Sequence, residues 1–236
     1  MGSFKQNVWV WLAMGSVLSA IGCGANSEPV DSTMLGIGGV GGTGSSGGGA
    51  TGVTTATFSQ GASYTGATDA SIVKAAPTTK YGAATTCIVD AGPTSETACA
   101  LRWSVAAIPT SATILGAEVT LTVSSPSVAQ FNVYKLKQRW TQANVTWNNY
   151  DSTHPWGTPG AKASTDRDPT PVGSLSGTLG SHTFSIPAAV VQAWLPDSNA
   201  NDGLLIANDV DADGVIFRSS ESANVAEHPT LTVYYQ

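Results

Sequence analysis

The residues that could do chemistry in this chain are few, and they fall into small sets. Asp209-Val210-Asp211-Ala212-Asp213-Gly214 fits D-x-D-x-D-G, in which alternating carboxylates converge on one hard cation and glycine makes the turn. A full EF-hand loop wants a bidentate Glu at its twelfth position; here that position is Ser220, with Glu221 one residue late, and no helices are expected to flank it. Two readings stand: one structural calcium ion held by Asp209, Asp211 and Asp213, or a polar turn between two strands. The histidines, His154, His182 and His228, lie near no sequence-local acid or nucleophile pair, so surface or strand-end roles are expected. No pair of carboxylates stands out for glycoside cleavage. No catalytic constellation emerges.

Aromatic side chains are the remaining chemical resource, because an exposed ring stacks on a sugar while a buried one is a large core residue. Trp103 and Trp194 lie in regular elements and are expected in the core, whereas Trp140 and Trp147 are expected to staple the two sheets. Trp156, in the Pro155–Pro159 loop, is the candidate sugar platform, with Asn148 and Asn149 as further carbohydrate contacts. Lys135, Lys137 and Arg139 form the basic cluster, suited to an acidic polymer or equally to a solvated strand face.

The elements that must position these residues are strands. Residues 133–149 put Trp140 and Trp147 seven apart, between a strand-like run and Asn148-Asn149. Ala117, Val119, Leu121 and Val123 alternate with Glu118, Thr120 and Thr122, which predicts a strand with one buried and one wet face. Residues 130–136 are expected as its hairpin partner across a turn containing Pro126. Short strands are expected at 55–58, 70–73, 87–89, 101–105, 181–186, 203–207, 215–219 and 230–235, and one helix at 187–195, with Pro187 in its first turn. Residues 150–181 read as a long loop or short edge strands, the kind of segment that carries function on a β scaffold. The pattern predicts an all-β, antiparallel β-sandwich of jelly-roll type with one short helix.

Bulk composition narrows the function classes. Only 11% of the residues are charged and the net charge is −6, so clustered phosphate contacts are missing and nucleic acid is not an expected partner. Residues 1–22 read as a signal peptide, with Lys5 before an apolar run too short to span a membrane. Leu18-Ser19-Ala20-Ile21-Gly22-Cys23 resembles a bacterial lipobox, which makes Cys23 the expected lipidation site and the lipid the expected membrane contact. Residues 23–53 read as a flexible Gly/Ser-rich linker, ten of the seventeen residues 36–52 being glycine. Its G-x-G-x-x-G and G-x-S-x-G matches lack the flanking strand and helix those motifs need. The domain then occupies residues 54–236. In an exported protein Cys87 and Cys99 are expected to pair, closing a hairpin-like loop.

The motifs, in order, are similar to a known family. Asp69–Ile72 (D-x-x-I) and Lys80–Gly82 (K-Y-G) come first, then residues 101–121 (L-R-W-x-V-x-x-I-P-x-x-A-T-I-x-x-A-x-V-x-L). Residues 133–149 (V-Y-x-L-x-x-x-W-T-x-x-x-V-T-W-N-N) follow, and residues 191–195 (V-Q-A-W-L), 201–206 (N-D-G-L-L-I), 217–221 (F-R-S-S-E) and 228–235 (H-P-T-L-T-V-Y-Y) complete the series. Together they resemble the DNRLRE domain family, also described as carbohydrate-binding module family 96, over residues 55–236. The resemblance implies a β-sandwich on an exported or cell-surface protein and non-catalytic sugar binding. Two positions depart from the family pattern: Gln142 stands where Glu is common after W-T, and Ser220 where F-x-S-R-E has Arg. The resulting expectation is a monomeric, lipid-anchored polysaccharide-binding domain, exported to the bacterial outer membrane or extracellular surface. A structural or adhesive surface protein without a sugar ligand is the alternative.

Overall fold

The computed structural model describes residues 52–210 and 213–236. The expected signal segment, Cys23, the linker as far as residue 51, and Asp211 lie outside the described residues. Two antiparallel sheets and one short helix, α1 (Ala188–Gln192), make up the domain. The first sheet holds β1 (Thr54–Ser59), β3 (Thr86–Val89), β5 (Ile114–Ser125), β8 (Gly180–Ile186), β10 (Val215–Arg218) and β11 (Thr230–Tyr235). The second runs β2 (Ala67–Val73), β4 (Thr97–Trp103), β9 (Leu204–Ala207), β6 (Gln130–Lys135) and β7 (Gly173–Ser176) in spatial order.

β5 is the axis of the first sheet. Ala117 pairs with both Val233 and Ile186, and a strand has two edges, so β11 and β8 flank it on opposite sides. At its far end Val123 pairs with Phe217, so β10 shares the β11 edge further along. The expected alternation holds: Ala117, Val119, Leu121 and Val123 are buried among residues of both sheets. Each fully buried Val or Leu there contributes about 1.5–3 kcal/mol.

The β5–β6 hairpin does not form. β6 pairs with β7 and β9, so the chain crosses from one sheet to the other between them. The crossing is an arch whose polar groups are bound elsewhere: Ser127 N–H donates to Gly177 O at 2.8 Å, and Ser127 Oγ donates to Asp213 Oδ2 at 2.8 Å. The disulfide between Cys87 and Cys99 is present, with Cα atoms 5.9 Å apart. It closes the loop, as expected, and it also ties β3 of one sheet to β4 of the other.

The second sheet is buried on both faces. Cys99, Leu101 and Trp103 of β4 face the inter-sheet core, while Ala98 and Ala100 face a second apolar cluster on the outside. Residues from 140 to 161 cover that outer face. Trp140, Val145, Trp147, Trp156 and Ala161 pack there onto Ile72, Tyr134, Leu136 and Leu205. Trp140 and Trp147 therefore do not staple the two sheets; they cap one sheet from outside. Trp103 and Trp194 lie in the inter-sheet core, as expected.

This cover has few regular elements, so its backbone needs other partners. The fully buried Asp166 carboxylate supplies them, accepting from Gly157 N–H at 2.7 Å, Thr158 N–H at 3.0 Å and Ala163 N–H at 3.1 Å. Gly160 has φ +85°, and a Cβ there would sit 2.6 Å from the Trp147 ring, so only glycine fits. Much of the expected loop from 150 onward is thus a fixed lid over the sheet. It also contributes β7 (Gly173-Ser174-Leu175-Ser176) at the sheet's edge, in line with the edge-strand alternative.

Candidate functional site

Of the sequence-picked residues, Trp156 is the clearest correction. It is 3% exposed, with its Nε1–H donated to Thr146 O at 3.0 Å and Tyr150 packed at 5.6 Å. The sheet's outer face needed an apolar cover, and Trp156 is part of it. It offers no free ring face for a sugar.

The basic cluster also separates. Lys137 turns to Asp168 at 2.9 Å and donates to Ser164 O at 3.1 Å. Lys135 is half-buried near Asp202, whose ionised form it favours. Arg139 reaches across to residues after α1, donating to Ser198 O at 2.6 Å and Asn201 O at 3.3 Å.

There Arg139 meets a residue that sequence reasoning passed over. Arg102 alternates with Leu101 and Trp103, so when those two enter the core it must point the other way. Its guanidinium lies 5.1 Å from the Trp140 ring centre and donates to Trp140 O at 3.0 Å. Burial pushes Arg102 below the usual arginine range, and the nearby Arg139 charge pushes the same way, with Asp202 opposing. Asp202 is itself raised by burial and lowered by Arg139, Arg102 and Lys135. Three cations thus surround one carboxylate.

Arg102 and Arg139 line a cavity of about 410 Å³ at this end of the sandwich, together with Trp103, Trp194, Ser198 and Asn201. Trp194 Nε1 and Asn201 Oδ1 are buried and have no hydrogen-bond partner among the described residues. Both atoms are sealed from solvent beneath the cavity's lining, so the groups on this wall that can meet a ligand are the two guanidiniums.

Asn148 and Asn149 are half-buried on a separate polar cleft of about 180 Å³, shared with Lys80, Asn144 and Asp151. The carboxylates of the D-x-D-x-D-G stretch go elsewhere. Asp209 accepts from the Tyr134 hydroxyl at 2.6 Å and from Arg167 Nη2 at 3.1 Å. Burial alone would raise Asp209, but these two partners outweigh it and hold the carboxyl below its ordinary range. Asp213 Oδ2 accepts from Ser127 Oγ and from Val128 N–H at 3.0 Å. Asp209 and Asp213 are bound to different parts of the protein, and among the described residues no group of three metal-ligating side chains forms. Asp209 as placed is an ion-pair partner of Arg167.

A model of the carbohydrate-binding module family 96 matches residues 60–235. The chain belongs to that family. No match was found among curated proteins. Membership in family 96 gives the short motifs a common address. Asp69 of D-x-x-I, Gly82 of K-Y-G, Gln142 of W-T-Q and Glu221 of F-R-S-S-E meet in one hydrogen-bonded knot. Gln142 Nε2 donates to Gly82 O at 2.6 Å and to Glu221 Oε1. Ser220 N–H donates to Asp69 Oδ2 at 2.7 Å, and Ser220 Oγ donates to Glu221 at 3.1 Å. A Cβ on Gly82 would lie 2.1 Å from Gln142 O, so the glycine is required by close approach. The two family-96 departures, Gln142 and Ser220, both touch Glu221. These motif residues are a structural knot at the foot of the lid.

Proposed function

We propose that this family 96 module binds a polysaccharide without cleaving it, and that the cavity of Arg102 and Arg139 takes a sugar unit bearing a carboxylate. The observation that carries the reading is the cavity wall. Two guanidiniums on that wall supply charge-assisted donors in fork geometry, the arrangement that pairs with a carboxylate. The cavity has no nucleophile paired with a base among the residues named for it, which suits holding rather than cutting. Export and display through a lipid on Cys23 complete the proposal, supported by the Lys5-to-Cys23 sequence pattern.

Calorimetric titration of the exported chain with trigalacturonate tests the site. Saturable binding that weakens with salt is expected, and Arg102→Ala should cost about 10- to 100-fold, the range for a charge-assisted hydrogen bond. New reducing ends or unsaturated uronates appearing with time would overturn the non-catalytic part. A blank glycan array would favour the adhesive-scaffold reading instead. Loss of palmitate labelling and of membrane association in Cys23→Ser would support the anchor; secretion without label in the native chain would remove it.

A further inference from the structure

The polar cleft on the lid is a second place where this molecule can hold a sugar. It is lined by Lys80, Asn144, Thr146, Asn148, Asn149 and Asp151, none of which lines the arginine cavity. We infer that this cleft is a separate site for a neutral pyranose unit, so that the module has two sugar sites of different charge preference. The inference rests on the reading of the chain as a polysaccharide binder.

The cleft's amides are held by backbone bonds and left free at their ends. Asn148 N–H donates to Pro77 O at 3.2 Å, and Asn148 O accepts from Trp156 N–H at 3.0 Å. Asn149 N–H donates to Thr146 Oγ1 at 3.0 Å, and Asn149 O accepts from Thr146 N–H at 2.8 Å. Thr146 O in turn accepts from Trp156 Nε1. Buried Trp156, excluded as a platform, thereby fixes the floor on which both asparagines stand. Neither side-chain amide is bonded within the described residues. Each presents a donor and an acceptor side by side, the pattern a vicinal diol complements.

Charge selects the ligand class. Lys80 and Asp151 are the two charged residues on the lining, and they cancel. Lys80 Nζ is already donated to Asn144 Oδ1 at 2.9 Å. Asp151 is held to about 2, chiefly by accepting Thr153 N–H, with His154 adding to the effect, so it stays ionised at any physiological pH. With no net charge on the lining and Lys80 engaged by Asn144, a carboxylated sugar finds no free cation here; a neutral one meets amide acceptors and donors. The arginine cavity has the opposite bias. Space fits the reading too: beyond Lys80 the cleft of about 180 Å³ adjoins a hollow of about 320 Å³ walled by Gly82, Ala83, Gln142 and Ala143, room for a neighbouring unit.

The test is a nitrogen-15 chemical-shift titration of the full exported chain, following the side-chain amides of Asn144, Asn148 and Asn149. Cellohexaose, mannohexaose and xylohexaose are added separately, and trigalacturonate in a parallel arm. At least one neutral hexamer should move the Asn148 and Asn149 signals along a saturable curve. Asn148→Ala and Asn149→Ala should each weaken that binding about 3- to 10-fold, with thermal midpoints and trigalacturonate affinity unchanged. Lys80→Gln, on the wall and clear of the lid's buried bonds, is the second variant and should weaken it similarly. Unmoved amides with all three neutral hexamers would overturn the inference. So would amides moved by trigalacturonate alone. Failure of the arginine-cavity reading is a different result, the absence of any trigalacturonate response.

Discussion

The backbone N–H of Ser220 donates to Oδ2 of Asp69 at 2.7 Å, joining residues 151 apart in the chain. Asp69 is 2% exposed, and its carboxyl stands at about 7, raised by burial first and by the neighbouring Glu221 charge, with Ser220 opposing. An acid whose folded value lies above its unfolded one binds more protons in the native state between the two values. Stability then falls as pH rises through that window, from about 4 to about 7, and is level above it for this group. Asp69→Asn should remove that slope, so the variant gains on the native chain as pH rises, by at most about 1.4 kcal/mol per pH unit. Urea unfolding at pH 4.5, 6 and 8 reads it directly. A constant difference between variant and native chain across the three pH values would refute the assignment.

The two departures from the family 96 pattern should prove coupled. Gln142 and Ser220 both contact Glu221. Gln142→Glu alone brings another carboxylate against Glu221 in a half-buried place, which should destabilise by about 1–3 kcal/mol. Adding Ser220→Arg supplies the missing cation, and the double variant should recover most of the loss. A double-mutant cycle in denaturant measures this, with a favourable coupling of about 1–3 kcal/mol expected. Additive effects would mean that the two positions are independent.

Much of the scaffold was legible because strand periodicity is local. β5 could be read from four alternating apolar residues, and the Cys87–Cys99 pair from spacing and the expectation of export. What periodicity lacks is the partner of each strand. β5 and β6 look like a hairpin because only their order shows, while the arch at Ser127 is secured by Asp213, 86 residues away. The tryptophans misled for a related reason. A loop tryptophan reads as exposed until one knows that the sheet beneath has an apolar outer face, and Ala98, Ala100 and Leu205 disclose that only once β4 and β9 are seen as buried on both sides. Arg102 was recoverable: flanked by Leu101 and Trp103, it had to face away from the core. Its meeting with Arg139, Trp194 and Asn201 joins three distant segments and has no local signature.

Trp156→Ala separates the buried reading from the platform reading. Removing a 3%-exposed indole from the lid should cost about 3–5 kcal/mol of stability. The arginine cavity, which Trp156 does not line, should keep its trigalacturonate affinity wherever the variant remains folded. Thermal unfolding beside titration at low temperature gives both numbers. Unchanged stability with lost sugar binding would restore Trp156 as a platform.

Reduction of the Cys87–Cys99 bond should loosen the join between the sheets. The bond closes a short loop, worth about 3 kcal/mol through the entropy of the unfolded chain, and it also couples β3 to β4. Replacing both cysteines by alanine should lower stability by about that amount. The effect should concentrate at the β3 edge, where β3 has β10 as its one paired neighbour in the first sheet. Hydrogen exchange then discriminates a local from a global role. Amides of β3 and β10 should lose protection first, while those of β5 and β11, paired with each other along Ile114–Thr120, should exchange only through global unfolding. Equal loss in all four strands would show that the disulfide acts on the unfolded chain alone.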